Sequence, residues 1–129
     1  VVIACGGGGI AVAPNAAGDL TTVDAVIDKD RTSALLAARL GADMLLIPTG
    51  VERVAIHFGT PDQRWLDRLD TADTRRLLAE GHFGAGSMGP KIETMLASPD
   101  RCPNGTGIIT TPEAMGRAVA GEAGTRFTR

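Results

Sequence analysis

Two short segments of the sequence carry the residue types that can hold and transfer a phosphate group. The first, "IDKDRTS", places Asp28, Lys29 and Asp30 between an apolar run and a helical segment. The second, "FGAGSMGPK", leads a glycine-rich loop into a helical turn that contains Lys91. A helix start attracts anions, and a lysine there is unfavourable unless an anion neutralises it. Because a carboxylate can hold two ammonium groups in place, the combination predicts phosphoryl transfer.

Both segments also have a purely structural interpretation. "IDKDRTS" is compatible with a solvated turn in which Asp30 caps the following helix. A glycine-rich loop before a helix with an exposed Lys91 is common in proteins. The second segment is not a Walker A motif, because GxxxxGK[ST] does not occur in the sequence.

A third segment, "VVIACGGGGI", contains four consecutive glycines after an apolar run, namely Gly6, Gly7, Gly8 and Gly9. Such a run is retained where the backbone bends sharply or where another group comes close. The segment that follows, "IAVAPNAAGDL", is typical of a loop, so the pattern is not a dinucleotide-binding fingerprint. Two interpretations stay open: a tight turn, or backbone N–H groups that face an anion or a small phosphoryl acceptor.

The elements that position these segments alternate between strands and helices. We predict strands at 1–5, 23–28, 43–49, 105–110 and 124–129, and a strand or hairpin arm at 51–58. We predict helices at 30–42 with Leu35, Leu36 and Leu40 on one face, at 71–83 capped by Thr71, at 84–98 with Pro90 in the first turn, and at 111–120. This order predicts an α/β fold with a largely parallel sheet and ligands at the carboxyl ends of its strands.

Composition narrows the possible functions. Hydrophobic residues make up 43% and charged residues 22% of the 129 residues, and the net charge is −2. These values are typical of one soluble domain and argue against nucleic acid or a membrane as a partner. We expect Cys5 and Cys102 to be reduced thiols of a cytoplasmic protein, with no metal site. We expect His57 and His82 to be packing or loop residues.

Six segments in order resemble carbamate kinase, of the amino-acid kinase family: "VVIACGGGGI", "AVIDKD", "FGTPDQ", "EGHF", "GSMGPKIE" and "AGTRFT". The resemblance covers only the carboxyl-terminal part of such an enzyme. Because the chain also opens inside a strand without Met, we expect residues 1–129 to be the nucleotide-binding half of a longer protein. The isolated piece is then expected to be inactive, since part of the acceptor site is absent.

The resemblance implies a three-layer α/β/α sandwich with a mainly parallel sheet and a cytoplasmic homodimer. It implies reversible transfer of phosphate between ATP plus carbamate and ADP plus carbamoyl phosphate, with Mg²⁺. Lys29 and Lys91 then contact the phosphates, Asp30 organises both lysines, and Gly6–Gly9 lie beside the acceptor. The residues that it implies for nucleotide binding are Thr49, Gly50, Val51, Glu52, Ala55, Phe83, Gly84, Gly86, Ser87, Met88 and Lys91.

The sequence departs from the family pattern at Ala11, Pro48, Gly50 and Ala55. We expect these departures to affect the nucleotide pocket and not the phosphoryl centre. Two alternatives stay open: another amino-acid kinase with an acyl-amino acid or a nucleoside monophosphate as acceptor, or a nucleotide-binding module without turnover. The pathway, whether arginine, agmatine or purine breakdown, is not fixed by the resemblance.

Overall fold

A computed structural model describes residues 7–84, 86–101 and 105–128, and for 97–101 it describes the helical backbone alone. The predicted strand at 1–5, Gly6, Cys5 and Cys102 lie outside the described residues. The strands are β1 (Val12–Pro14), β2 (Leu20–Thr22), β3 (Met44–Pro48), β4 (Val54–Ile56), β5 (Arg64–Leu66), β6 (Arg68–Leu69), β7 (Thr106–Thr110) and β8 (Thr125–Phe127). The helices are α1 (Lys29–Leu40), α2 (Thr71–Ala79), α3 (Met88–Arg101) and α4 (Met115–Ala120), the last entered by a 3₁₀ turn at Pro112–Ala114.

The central sheet is mixed, with the strand order β3–β7–β8–β6. β3 runs parallel to β7 and β6 runs parallel to β8, whereas β7 and β8 are antiparallel. The described part of the sheet is therefore less uniformly parallel than predicted. β4 and β5 form a separate antiparallel hairpin, so the segment 51–58 is a hairpin arm.

Helices cover the sheet on both faces. α1 and α3 pack against each other. α1 also packs against β3, and α3 packs against β7. Ile109 of β7 belongs to the core cluster that contains Ile92 and Met95 of α3. Ile108 points to the opposite face because side chains alternate along a strand, and it is also fully buried. Since α4 also packs against β7, the layers agree with an α/β/α arrangement.

Two helix starts differ from the predicted ones by a residue or two. Asp28, and not Asp30, caps α1, since its carboxylate accepts a hydrogen bond from the Arg31 N–H at 2.8 Å. Asp70, and not Thr71, caps α2 in the same way. α1 ends as predicted at Gly41, whose φ of 64° lies in the left-handed region that favours glycine.

Three further predictions were wrong. Residues 23–28 form no strand, and the presumed loop at 10–20 contains β1, which pairs with β2 in an antiparallel hairpin. Leu35, Leu36 and Leu40 are exposed on α1, whereas Ala34 and Ala37 are buried. Among the described residues, no helix combines the length and apolar character needed to cross a membrane.

Candidate active site

The centre of the candidate site is Asp30, which lies in the first turn of α1 and is only 7% exposed. One carboxylate oxygen, Oδ1, accepts a hydrogen bond from Lys29 Nζ at 2.9 Å. The other, Oδ2, accepts one from Lys91 Nζ at 3.0 Å. The packing of α1 against α3 brings Lys91 to a residue 61 positions away in sequence. The structure therefore joins the two segments with which the sequence analysis began, in the predicted order lysine–aspartate–lysine.

The two lysines differ in exposure. The Lys91 side chain is 13% exposed, whereas the Lys29 side chain is 60% exposed. They are also the only lysines in the sequence, since the other eleven of the 13 basic residues are arginines. The cluster carries one negative and two positive charges, so a net positive charge remains. An anionic group is what such a charge would bind.

Burial and the two ammonium groups act in opposite directions on the acid at the centre. Burial by itself raises the pKa of Asp30, but hydrogen bonds and charge from Lys29 and Lys91 outweigh it, and the pKa is lowered from 3.8. The hydrogen bond to Asp30 is the main reason that the pKa of Lys29 is raised from 10.5. Asp30 and Lys29 are therefore both ionised at neutral pH.

The lowered pKa of Asp30 predicts an acid-dependent loss of stability. A carboxylate whose pKa falls on folding stabilises the protein above its unfolded pKa, and this contribution disappears as the pH falls through the folded value. Asp30→Asn in the full-length protein should therefore cost about 1–3 kcal/mol of unfolding free energy at pH 7. The difference from the unsubstituted protein should shrink as the pH falls below about 4. Urea unfolding at pH 7 and pH 3 measures both values.

Glu93→Gln is the matched control for that experiment. Glu93 also joins α3 to α1, through an ion pair with Arg31 at 2.9 Å, but both side chains are largely exposed. Exposed ion pairs contribute about 0–1 kcal/mol. An Asp30→Asn effect as small as that of Glu93→Gln, or one that is equal at both pH values, would contradict the assignment of Asp30 as a buried ionised group.

A cavity of about 480 Å³ opens at the carboxyl end of β3 and at the start of α3. Its lining residues come from the segment after β3, from the β4–β5 hairpin and from the loop before α3. They are Thr49, Gly50, Val51, Arg53, Ala55, Phe58, His82, Phe83, Gly84, Gly86, Ser87 and Met88. Lys91 lies three residues after Met88 on α3, so the lysine cluster and the cavity share one helix start.

All the residues predicted to bind a nucleotide line this cavity, except Glu52 and Lys91. Lys91 points to Asp30, as described above. Glu52 forms an ion pair at 2.9 Å with Arg117 of α4 and lines a different cavity. Arg53, Phe58 and His82 also line the cavity, although no sequence pattern predicted them as site residues.

The loop before α3 closes tightly on itself. The Gly89 N–H donates a hydrogen bond to the Gly84 carbonyl at 2.9 Å. A Cβ at Gly89 would lie 3.1 Å from that same carbonyl oxygen, which is closer than most side chains tolerate. Glycine at this position therefore allows the turn that presents Ser87 and Met88 to the cavity.

Among the described glycines of the third segment, "VVIACGGGGI", Gly7 lies next to the chain that enters α1. A Cβ at Gly7 would be 3.4 Å from the Ile27 carbonyl oxygen, and Gly8 and Gly9 have open space around them. Ile27 is followed by Asp28 and Lys29, so Gly7 lies beside the chain that leads into the lysine cluster. The role of the run beside an acceptor stays a prediction.

The two histidines contact each other at the edge of the cavity. Their rings meet edge to face with centroids 4.5 Å apart, and His82 Nε2 lies 3.2 Å from Glu80 Oε2. The packing role expected for both histidines agrees with this contact. No group of three or more His, Cys, Asp or Glu side chains within the described ranges is arranged to hold a metal ion.

Known proteins resemble this chain in both sequence and fold. Residues 1–102 match the model of the amino acid kinase family, and the chain belongs to that family. Within it, the chain is similar to carbamate kinases. It is 52% identical over its full length to the carbamate kinase-like protein YahI of Escherichia coli strain K12. It is 45% identical, over 97% of its length, to the carbamate kinase of Staphylococcus haemolyticus.

Solved structures agree with the sequence comparison. The carbamate kinase of Giardia lamblia bound to AMP-PNP superposes with a TM-score of 0.81 at 37% identity, over 86% of this chain and 35% of that one. The chain spans 40% of the length of each of the two curated relatives named above. The α/β fold of the carbamate kinases is therefore established for this segment.

Proposed function

We propose that this segment is the nucleotide-binding half of a carbamate kinase, a phosphotransferase that exchanges phosphate between ATP plus carbamate and ADP plus carbamoyl phosphate. The observation that carries the proposal is the buried Asp30 carboxylate between the Lys29 and Lys91 ammonium groups. Phosphoryl transfer depends on positive charge fixed around the moving group, and this cluster supplies such charge. The neighbouring cavity, lined by the loop before α3, would hold the nucleotide.

Arginine is the usual basic residue of this chain, yet both basic residues of the cluster are lysines. An ammonium group is a compact point charge that can approach one phosphate oxygen without the planar geometry of a guanidinium. The presence of AMP-PNP in the Giardia enzyme supports a nucleotide in the cavity here. The homodimer, the cytoplasmic location and the inactivity of the isolated segment stay predictions.

Mg²⁺ would enter with the nucleotide and neutralise charge on its phosphates. Both carboxylate oxygens of Asp30 already accept hydrogen bonds from ammonium groups, so Asp30 is poorly placed to act as a metal ligand. Mg²⁺ commonly keeps several waters and binds mainly to substrate phosphates. The described residues of the site are compatible with that mode of binding.

The proposal predicts that Lys91→Ala weakens the binding of Mg·ADP in the full-length protein. Loss of one charge-assisted contact to a phosphate should raise the dissociation constant about tenfold or more. Isothermal titration calorimetry measures it directly. Arg39→Ala serves as the control, because Arg39 is an exposed residue in the last turn of α1. Equal affinity of Lys91→Ala and the unsubstituted protein for ADP would show that the nucleotide phosphates bind elsewhere.

A further inference from the structure

The cavity described above is mainly apolar, with walls that include Val51, Ala55, Phe58, Phe83 and Met88. Arg53 is the only Asp, Glu, Lys or Arg among its described lining residues. A formal charge is costly next to apolar groups unless a partner offsets it. The Arg53 side chain is 39% exposed and also lines two neighbouring cavities, one with Glu52 and one with Asp67. Arg53 therefore lies at the edge of the apolar cavity, where a ligand in the cavity could reach its guanidinium group.

The partner within the described residues is Asp67, whose Oδ1 lies 3.0 Å from Arg53 Nη1. The Asp67 side chain is 75% exposed, so water screens its charge and the ion pair is weak. Arg53 Nε is buried and has no hydrogen-bond partner. The guanidinium group is thus held by one exposed carboxylate, and part of its charge and hydrogen-bonding capacity is unused.

We propose that Arg53 is a nucleotide-binding residue that favours phosphorylated nucleosides over neutral ones. The inference depends on the proposed function, since it assumes that a nucleotide occupies this cavity. A nucleoside diphosphate carries a charge that the guanidinium group attracts, and the apolar surroundings of the cavity strengthen that attraction. The uncharged nucleoside gains nothing from the same group. Arg53 is separate from the cluster of Lys29, Asp30 and Lys91, with which it shares no contact given by the structure.

The test compares ADP with adenosine as competitors of a fluorescent ADP analogue bound to the full-length protein. Arg53→Met should raise the dissociation constant of ADP about tenfold, while that of adenosine changes less than about twofold. Arg53→Lys keeps the charge and should retain most of the ADP affinity. In steady-state kinetics, Arg53→Met should raise the KM for ADP and leave kcat unchanged, as expected for a group that binds ground and transition states equally.

Arg68→Met is the matched control. Arg68 follows Asp67 directly, is exposed and does not line the nucleotide cavity, so its removal changes the net charge equally but should leave the ADP affinity within about twofold. Equal losses for ADP and adenosine in Arg53→Met would overturn the inference, because they would assign Arg53 a packing role. An unchanged ADP affinity would also overturn it. A lack of ADP binding by the unsubstituted protein would instead overturn the proposed function and this inference with it.

Discussion

Lys29→Ala in the full-length protein is expected to lower kcat by a factor on the order of 10²–10³, with a smaller change in KM. Lys29 Nζ lies 2.9 Å from Asp30 and its side chain is 60% exposed, so it can hold a fixed position and still meet a substrate. A charge held where negative charge develops stabilises the transition state more than the ground state. Initial rates of ATP formation over a range of ADP and carbamoyl phosphate concentrations separate kcat from KM.

Arg31→Ala is the control for Lys29→Ala. Arg31 is a basic residue in the same helical turn, but it is exposed and pairs with Glu93. Its removal should leave kcat within about twofold, since exposed ion pairs contribute little. A Lys29→Ala enzyme that keeps its kcat while its KM rises would assign Lys29 to substrate binding alone.

Asp30→Asn is expected to lower kcat by a similar factor, on the order of 10² or more. Asp30 cannot itself face a phosphate favourably, and both of its oxygens already accept hydrogen bonds from the lysines. Its role is therefore to position the two ammonium groups. An amide keeps the shape of the side chain but offers only one oxygen and no charge, so at least one lysine loses its place.

The double variant Lys29→Ala, Asp30→Asn tests whether the two residues act as one unit. If Asp30 works through Lys29, the increase in activation free energy in the double variant should be much smaller than the sum of the increases in the two single variants. Steady-state kinetics on both single variants and the double variant give the coupling energy. Strict additivity would show that Asp30 has a role of its own and would contradict the positioning role.

The juxtaposition of Asp30 and Lys91 could be anticipated from the sequence. Both residues lie in first turns of segments that the sequence predicts as helices, and both helices lie beside neighbouring strands of the sheet. Among the described residues, neither helix directly follows a strand, since residues 23–28 form none and α3 follows α2. The rule that ligands bind at the carboxyl ends of strands therefore does not by itself bring the two helix starts together, and the resemblance to carbamate kinase was the source of that expectation. Asp30 bridges the two lysines because α1 packs on α3. Local sequence patterns carry no information about that packing.

The helix cap shows where local patterns are insufficient. Asp28 and Asp30 are both suitable caps, and the sequence alone does not choose between them. Asp30 points instead into the contact with α3, where Lys91 compensates its burial. The choice depends on a residue 61 positions away, and local propensity cannot supply that information.

The misjudged face of α1 and the missed hairpin have different causes. The small residues Ala34 and Ala37 form the buried face of α1 and permit the close approach of α3. Hydrophobicity alone had favoured the leucines as the buried residues of this helix. The hairpin had a signal in "PNAAGD". Asn15 Oδ1 accepts hydrogen bonds from the N–H groups of Ala17 and Asp19, and Gly18 has a φ of 90°. These are the properties of Asn and Gly in a turn.

Arg53 and Glu52 show that the sequence does not fix which cavities the residues of this loop line. Glu52 turns towards Arg117, whereas Arg53 lines both the predicted nucleotide cavity and the cavity that Glu52 lines. The chain between Gly50 and β4 is too short and irregular for a periodic pattern to fix side-chain directions. In the structure, Glu52 pairs with Arg117 of α4 and Arg53 pairs with Asp67, and both partners are distant in sequence.

The most direct test of the account is ATP formation from ADP and carbamoyl phosphate by the full-length protein with Mg²⁺, followed by a coupled assay. We expect a clear ATP signal that depends on carbamoyl phosphate and that falls on the order of 10²-fold or more in Lys29→Ala and Asp30→Asn. A folded full-length protein that binds ADP but forms no ATP from carbamoyl phosphate would contradict it. So would ATP formation that persists undiminished in both variants.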